Sequence, residues 1–332
     1  MMSRANPYFF VVGCPRSGTT LLRRLLDAHP RVAVINETMW ITRQAAPRKG
    51  LTPAGHATPE LVASLFEDRR FRRLDIPRED VERLLDSHGP ASYAHFVSGI
   101  FELYGRRRGK PLVGDKTPGY VREMATLHAL WPRARFVHLI RDGRDVWLSV
   151  ADWNKADRSL GRFATWPRDP VTTAALWWER SVRLGRETGR PLGPALYHEV
   201  RYEDLVGDPA EVSRALCTFL GIAYDEAMLQ YHEGRQRDAG GRSAKSAWLP
   251  PTPGLRDWRK QMAAADVERF EAAAGDLLDE LGYPRATPRP SRESREVAAE
   301  VRRAFTEALR SRGRRLPERW LHRGPVARAT RG

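Results

Sequence analysis

The sequence predicts an α/β fold with a central parallel sheet flanked by helices. Three apolar runs, at 8–12, 135–140 and 196–202, have the length and continuity of strands that are buried on both faces. A segment with helical spacing of apolar residues follows each run. Because strands that alternate with helices pair in parallel, the pattern favours one sheet that is covered on both sides.

The first elements have the order strand, helix, strand. Gly13 and Pro15 break the first apolar run, and helical spacing resumes over 19–28. A second short strand is predicted at 32–35, after the break at His29-Pro30. This order begins a βαβ unit.

The long connection that follows is predicted to be a helical insertion at about 58–107. Leu61 and Leu65, and then Val81 and Leu84, lie at helical spacings. We expect this insertion to form a cap over the sheet.

The second half of the chain is predicted to contain further helices, a loop and a C-terminal extension. In chain order these are helices at 210–220 and 226–233, a Gly-, Ser- and Pro-rich mobile loop at 239–254, and an amphipathic helix at 266–281. We divide the chain into one main domain at 1–284 and an Arg-rich, partly helical extension at 285–332.

The formal net charge of +15 favours an anionic ligand or surface. The extension contains 14 Arg and 5 Glu with no Lys or Asp, so nine of these excess charges lie outside the main domain. We interpret the extension as a solvated appendage, since charge runs usually form solvated faces.

Cysteine content and hydropathy exclude several protein classes. Cys14 and Cys217 are the two cysteines in the sequence, too few for a disulfide framework or for a metal-ligand cluster of the usual spacing. No apolar stretch reaches the roughly 18 residues that cross a bilayer, and the run at 8–12 is too short for a signal-peptide core. We expect a cytoplasmic protein with no membrane span.

The segment 13–20, Gly-Cys-Pro-Arg-Ser-Gly-Thr-Thr, has the spacing of a phosphate loop between strand and helix. Thr19 stands where nucleotide triphosphatases have the lysine that contacts the β- and γ-phosphates. Amides at 17–20 are expected to point toward an anion at the positive end of the helix dipole, with the Ser17, Thr19 and Thr20 hydroxyls as further donors. Arg16 supplies a planar fork that suits a sulfate or a single phosphate, so the loop favours a 5′-phosphosulfate over ATP.

Three blocks carry a resemblance to a known family. Pro15-Arg-Ser-Gly-Thr-Thr-Leu-Leu22, followed by Leu26-Asp-Ala-His-Pro30, resembles the 5′-phosphosulfate motif of the sulfotransferase superfamily, and is most similar to the protein-tyrosine sulfotransferase type and its bacterial relatives. Arg141-Asp-Gly-Arg-Asp145 with Ser149 resembles the 3′-phosphate motif, and 200–205, Val-Arg-Tyr-Glu-Asp-Leu, is a third match. The resemblance implies a P-loop-like sulfotransferase fold.

The same resemblance implies a cofactor and a reaction. The cofactor is 3′-phosphoadenosine 5′-phosphosulfate (PAPS), whose sulfuryl group passes to an acceptor hydroxyl on a small molecule, a carbohydrate or a tyrosine. By resemblance, Arg16, Ser17, Gly18, Thr19 and Thr20 bind the 5′ end of PAPS. Arg141 and Ser149 bind the 3′-phosphate, and Tyr202 contacts the adenine ring.

The second block has physical support of its own. Arg141 directly follows a buried strand, at the carboxyl edge where open α/β sheets bind ligands, and Ser149 lies about two turns into the next helix. Two alternatives stay open, namely a surface Arg141 paired with Asp142 or Asp145, and a core tyrosine at position 202.

The resemblance also implies the catalytic groups. Asn36-Glu-Thr38 aligns with the segment whose Glu is the general base in tyrosine-sulfating relatives, which gives Glu37 that role. His29 is a rival base, although its His-Pro turn suits a capping role better. Arg16 and Lys116 would stabilise the charge that develops during transfer, without a divalent metal. Surface roles for Glu37 and Lys116 are the alternatives.

The sequence departs from the family pattern at one place. Cytosolic relatives complete the 3′-phosphate site with an Arg-Lys-Gly run before an Asp-Trp pair, whereas in this chain Pro251-Thr-Pro253 precedes Asp257-Trp258. Lys245, Ser246 and Arg256 are the candidates for the third phosphate contact.

Two other functions fit parts of the sequence. One is a P-loop nucleotide kinase, against which Thr19 argues, and the other is a nucleic-acid or membrane-surface binder that uses the Arg-rich extension. We expect no nucleic-acid partner. Neither the acceptor nor the oligomeric state follows from the sequence. Five tryptophans are candidates either to line an acceptor pocket or to pack in the core, namely Trp40, Trp153, Trp166, Trp177 and Trp178.

Overall fold

Five parallel strands form the central sheet of the computed structural model, which describes residues 8–45, 50–86, 91–233 and 249–313. The spatial order is β2-β3-β1-β4-β5. The strands are β1 (Phe9–Gly13), β2 (Val32–Asn36), β3 (Leu112–Lys116), β4 (Arg135–Ile140) and β5 (Tyr197–Arg201). The chain proceeds from β1 toward β2 on one side and from β4 toward β5 on the other, so β1 lies at a topological switch point where open α/β sheets bind ligands.

Fifteen α-helices are found in the described residues. In the first half these are α1 (Thr19–Ala28), α2 (Trp40–Ala45), α3 (Pro59–Glu67), α4 (Arg69–Arg72), α5 (Arg78–Asp86), α6 (Tyr93–Arg106) and α7 (Met124–Leu130). In the second half they are α8 (Gly143–Ala151), α9 (Ala156–Leu160), α10 (Pro170–Gly189), α11 (Tyr202–Gly207), α12 (Pro209–Leu220), α13 (Trp258–Gln261), α14 (Ala264–Glu280) and α15 (Arg292–Gly313). The predicted α/β fold with a helical insertion is confirmed.

The two faces of the sheet bury different helices, because successive side chains of a strand point to opposite sides. Phe10 and Val12 of β1 pack on one face against the helical insertion, in a cluster that includes Phe96 and Phe101 of α6. Phe9 and Val11 pack on the other face with leucines of α1 and α12. The insertion therefore covers one face of the sheet.

The long helix α10 connects the sheet to the C-terminal helices. A third apolar cluster joins α10 with α8, α14 and α15, and contains the buried Trp177 and Trp178. In α15, Ala298 and Phe305 are each 4% exposed, and the Phe305 ring stacks on Phe163 with centroids 4.2 Å apart. The described part of the Arg-rich extension thus packs onto the core, while the boundary at 284 stays a prediction.

One predicted helix is wrong, and some predictions lie outside the described residues. At 226–233 the chain forms a 3₁₀ turn over Glu226–Met228, where the Asp225 carboxylate accepts a hydrogen bond from the Ala227 N–H and favours a tight turn over a longer helix. Most of the predicted loop, together with Lys245 and Ser246, falls in 234–248, outside the described residues, as does the end of the extension at 314–332.

Candidate active site

The loop after β1 forms a cradle of backbone amides at the start of α1. Gly18 precedes the helix with a φ of 97°, and a Cβ at this position would overlap the ring of Tyr202. Glycine is required on both counts. The N–H groups of Thr19 and Thr20 occupy the first turn of α1, where a helix has no acceptors of its own, so they can bind an anion.

The expectation that all amides at 17–20 face an anion needs one correction. The Ser17 N–H donates to the Cys14 carbonyl oxygen at 3.2 Å, because this hydrogen bond closes the turn. The side chain of Ser17 is fully buried, and its Oγ has no hydrogen-bond partner among the described residues. This buried hydroxyl is therefore available to donate to an anion bound in the loop.

Arg16 connects the loop to α8. It has a φ of 78°, a strained conformation for a residue other than glycine. Its Nε donates to Ser149 Oγ at 3.0 Å, and its guanidinium carbon lies 5.5 Å from the ring centre of Trp153. The side chain thus spans the two predicted anion subsites.

Arg141 and Tyr202 follow neighbouring strands at the same level. Ile140 pairs with Arg201, so the next residue of each strand lies at the carboxyl edge side by side. The guanidinium of Arg141 lies 4.1 Å from the ring centre of Tyr202. Arg141 is 5% exposed, and its Nε has no partner in the part of the chain that the structure describes.

The predicted alternative of a surface Arg141 is therefore wrong, although its pairing with Asp145 does occur. Arg141 Nη2 lies 3.5 Å from Asp145 Oδ2. Ser149 follows Asp145 by four residues on α8, hence on the same helix face. Arg141 contacts Asp145, and Ser149 accepts a hydrogen bond from Arg16. Arg141 and Ser149 therefore lie in one region of the sheet edge.

Glu37 and Lys116 form an ion pair at the other side of β1. The register pairs Asn36 with Lys116, which places Glu37 next to Lys116 as soon as β2 ends. Lys116 Nζ donates to Glu37 Oε1 at 3.1 Å, and the Glu37 N–H donates to the Lys116 carbonyl oxygen at 2.9 Å. The Lys116 side chain is 2% exposed and the Glu37 side chain 42%, so the carboxylate is the member of the pair that solvent and an acceptor can reach.

Comparisons with known proteins show which family this chain belongs to. The model of the Sulfotransferase family matches residues 7–226, about two thirds of the chain. The chain belongs to the sulfotransferase family. The site residues at the ends of all five strands lie within this match.

Curated and solved relatives agree with the family match. The sulfotransferase is 28% identical to protein-tyrosine sulfotransferase 2 of Gallus gallus over 306 residues, which covers 86% of this chain and 72% of that protein. It is 30% identical to protein-tyrosine sulfotransferase 1 of Danio rerio, with 85% and 74% covered. Among solved structures it is similar to the sulfotransferase domain of the Synechococcus PCC 7002 olefin synthase, with a TM-score of 0.56, 26% identity, and 84% and 95% of the two chains covered.

Burial and neighbouring charges shift the pKa values of Glu37 and Lys116 in the sulfotransferase. Burial lowers the pKa of Lys116, and the neighbouring carboxylate opposes that decrease. Burial acts to raise the pKa of Glu37, but Lys116, and then Arg70 at 4.0 Å from Oε2, bring it below its usual value. Glu37 is therefore ionised at neutral pH.

The anion side of the sulfotransferase site concentrates positive charge. Burial, then Arg256, then Arg141 lower the pKa of Arg16. Arg256 Nη2 lies 2.6 Å from Asp152 Oδ2, just after α8. Of the three candidates for the third phosphate contact, Arg256 is the one that the structure describes and that it places near Arg16.

Asp115 is a site residue that the sequence interpretation missed. Its carboxylate is fully buried, and Oδ2 accepts a hydrogen bond from the Thr38 N–H at 3.2 Å. Because this bond holds the residue after Glu37, it fixes the turn in which Glu37 has a φ of 59°. A charged residue inside the buried strand β3 was the available signal.

Other candidates take structural roles. The Arg31 N–H donates to His29 Nδ1 at 3.0 Å, so Nε2 carries the proton and faces the Ala223 carbonyl oxygen at 2.9 Å. His29 thus fixes a turn, and the prediction that it is a rival base is wrong.

Trp40, like Trp177 and Trp178, is buried in the core, whereas Trp153 lies beside Arg16.

Two further findings concern metals and membranes. In the described ranges, no group of three or more His, Cys, Asp or Glu side chains is arranged to hold a metal ion. The described helices include none that is both long and apolar enough to span a membrane.

Proposed function

We propose that this sulfotransferase moves the sulfuryl group of PAPS to an acceptor hydroxyl, with Glu37 as the general base. The main support is one arrangement. Ser17 Oγ and Arg141 Nε are buried donors without partners among the described residues, and they lie on the side of β1 where Arg16 reaches Ser149. The half-exposed carboxylate of Glu37, which pairs with Lys116, lies on the other side of β1. This combination suits an anionic donor next to a base.

The residues fit PAPS at two points. Gly18 lets the Tyr202 ring pack directly against the backbone of the loop, because a Cβ at this position would lie 2.4 Å from that ring. Arg256 and Arg141 both lower the pKa of Arg16, so an anion with two charged ends would relieve the repulsion that Arg16 experiences. When bound, PAPS supplies the activated sulfuryl group.

Each residue set has a binding role in this proposal. Arg16, Ser17 and Gly18, together with Thr19 and Thr20, hold the 5′ end through backbone amides, hydroxyls and one guanidinium. Arg141 and Ser149 hold the 3′-phosphate, with Arg256 as the third contact. Tyr202 lies between Gly18 and Arg141, where its ring borders the adenine site.

Glu37 and Lys116 divide the chemistry between them. The Glu37 carboxylate accepts the proton of the acceptor hydroxyl, which makes that oxygen nucleophilic. Proton uptake removes the negative charge that Lys116 pairs with. The ammonium group, together with Arg16, is then available to neutralise negative charge that develops during transfer.

A tyrosine hydroxyl is the first acceptor class to test, because two similar curated relatives are named protein-tyrosine sulfotransferases. A small-molecule hydroxyl is the second class, because the similar solved domain belongs to an olefin synthase. A cytoplasmic location stays a prediction from the sequence.

Transfer of labelled sulfuryl from PAPS to a panel of acceptors tests the proposal. The panel contains a tyrosine peptide, a phenol, a sugar and an aliphatic alcohol, and ATP with Mg²⁺ replaces PAPS in a parallel series. We expect label in at least one hydroxyl acceptor and no phosphoryl transfer. Phosphoryl transfer from ATP without sulfuryl transfer would establish the kinase alternative instead.

A further inference from the structure

A buried network lies behind the turn that carries Arg141. Its centre is Arg144, which is fully buried at the start of α8. Nε and Nη2 donate to the two carboxylate oxygens of Asp142 at 3.0 and 2.7 Å. Nη1 donates to Glu271 Oε1 at 2.6 Å and to the Pro284 carbonyl oxygen at 3.0 Å. One guanidinium therefore joins the β4–α8 turn to α14 and to the segment after it.

The same network reaches Arg141 through Trp258. The guanidinium carbon of Arg144 lies 3.6 Å from the ring centre of Trp258, close enough for a cation–π contact. The backbone N–H of Trp258 donates to Asp145 Oδ1 at 2.9 Å, while Asp145 Oδ2 faces Arg141. The carboxylate that orients Arg141 is thus held by the residue on which Arg144 stacks.

The turn has little freedom to adopt another shape. A Cβ on Gly143 would lie 2.5 Å from the Trp178 ring and 2.6 Å from Phe270. The Asp142 N–H donates to Glu203 Oε1 at 2.9 Å, and the Asp142 side chain also accepts from the Arg144 N–H as the N-cap of α8. Backbone, cap and packing therefore act on the same three residues.

Stability alone does not account for this network. Asp142, Arg144 and Glu271 are buried charges, and their desolvation offsets much of their attraction. Replacement of buried ion pairs by apolar side chains of similar volume is often neutral or stabilising in proteins. What apolar residues cannot do is fix the direction of a polar turn by bidentate hydrogen bonds.

We propose that Arg144 is a positioning residue for the 3′-phosphate site. It does not touch the ligand; it holds Asp142 and Trp258, and through them Asp145, so that the Arg141 guanidinium keeps one orientation. Discrimination between ligands with and without a 3′-phosphate depends on this orientation. The inference rests on the proposed function, because it assumes that Arg141 binds that phosphate.

The ratio of two dissociation constants tests it. Adenosine 3′,5′-bisphosphate and adenosine 5′-monophosphate differ in the 3′-phosphate alone, and both are titrated onto the full chain by calorimetry. The Arg144→Lys variant keeps the charge but lacks the planar fork that donates to both Asp142 oxygens and to Glu271. We expect the preference for the bisphosphate to fall by about tenfold, with monophosphate affinity changed less than about twofold.

Controls separate positioning from general stability. Arg183→Lys changes an arginine that pairs with Glu179 and Glu280 away from the turn, and should leave the ratio unchanged. If Arg144→Lys does not fold, Glu271→Gln decides, with an expected fall in the ratio of about threefold. Equal weakening of both ligands, or an unchanged ratio, contradicts the positioning role. A wild-type protein without preference for the bisphosphate contradicts the proposed function instead.

Discussion

The two halves of the sheet edge, on either side of β1, are prepared for different tasks. On the side of β4 and β5, buried donors such as Ser17 Oγ and Arg141 Nε have no partner among the described residues, and the arginines lie close to one another. On the side of β2 and β3, Lys116 and Glu37 already neutralise each other. We call these the binding half and the reactive half.

The difference shows how one sheet edge can separate affinity from rate. The binding half has charge and donors that only an added anion satisfies, so changes there should act mainly on donor affinity. The reactive half holds a compensated pair that changes state when a proton moves, so changes there should act mainly on turnover. Substitutions in each half test this separation.

Glu37→Gln should have the largest effect. Loss of the general base is expected to lower kcat by about 10²- to 10⁴-fold while the dissociation constant of adenosine 3′,5′-bisphosphate stays within about threefold of wild type. Steady-state kinetics and calorimetry provide the two quantities. Glu67→Gln, on the exposed side of α3, is the matched control. A variant with full turnover would remove Glu37 from the mechanism.

Gly18→Ala tests the binding half. The new Cβ would overlap the Tyr202 ring and force that ring and the loop apart, so we expect donor affinity to fall by about 100-fold, with a smaller change in kcat at saturation. Gly55→Ala is a strict control, since Gly55 has a φ of +86° but no atom within 4 Å of the place that a Cβ would occupy. An unchanged KM for PAPS in Gly18→Ala contradicts the cradle.

Lys116→Met should shift the pH profile of the reactive half. The ammonium helps to keep the pKa of Glu37 below its usual value, so the acid limb of kcat lies at low pH in the wild type. Without this cation the limb should move to higher pH by about one unit. Arg70→Met, which removes the more distant cation, should give a smaller shift in the same direction. A limb that does not move shows that another group titrates.

Asp115→Asn should have the smallest effect, on stability. Burial raises the pKa of Asp115 to about 7. The pKa of Asp115 is therefore higher in the folded protein than in the unfolded chain. The carboxyl group stabilises the fold at pH values below the unfolded pKa, and this stabilisation is lost as the pH rises through about 7. The amide keeps an acceptor for the Thr38 N–H, so we expect the variant to gain about 2–3 kcal/mol over wild type at pH 8 relative to pH 5.

Urea unfolding at the two pH values measures this difference. Asp276→Asn, an exposed position on α14, should show no such pH dependence. Equal stability changes for Asp115→Asn at pH 5 and pH 8 would show that the buried carboxyl does not titrate in this range.

Local signals made much of the fold and of the binding half predictable. The loop at 13–20 and the strand ends that carry Arg141 and Tyr202 are contiguous motifs, and the direction of a parallel sheet brings such ends to one edge. The pairing of Glu37 with Lys116 follows from the β2–β3 register, which joins residues 79 positions apart in the chain and gives no local signal.

What could not be predicted depends on tertiary packing. Arg144 lies in the same motif as Arg141, but its partner Glu271 is 127 residues away, so only the folded chain assigns it a place. The Arg-rich composition after residue 284 indicated a solvated appendage, whereas Phe305 and Ala298 of α15 are buried against the core. Composition is a weak guide to an amphipathic helix whose few apolar residues share one face.

A crystal structure with adenosine 3′,5′-bisphosphate tests most directly whether the two anion subsites of the binding half hold one donor. We expect the 5′-phosphate at the amides of Thr19 and Thr20 beside Ser17 Oγ, and the 3′-phosphate within hydrogen-bond distance of Arg141 and Ser149. A ligand bound elsewhere, or a 3′-phosphate that Arg141 does not contact, would contradict the account.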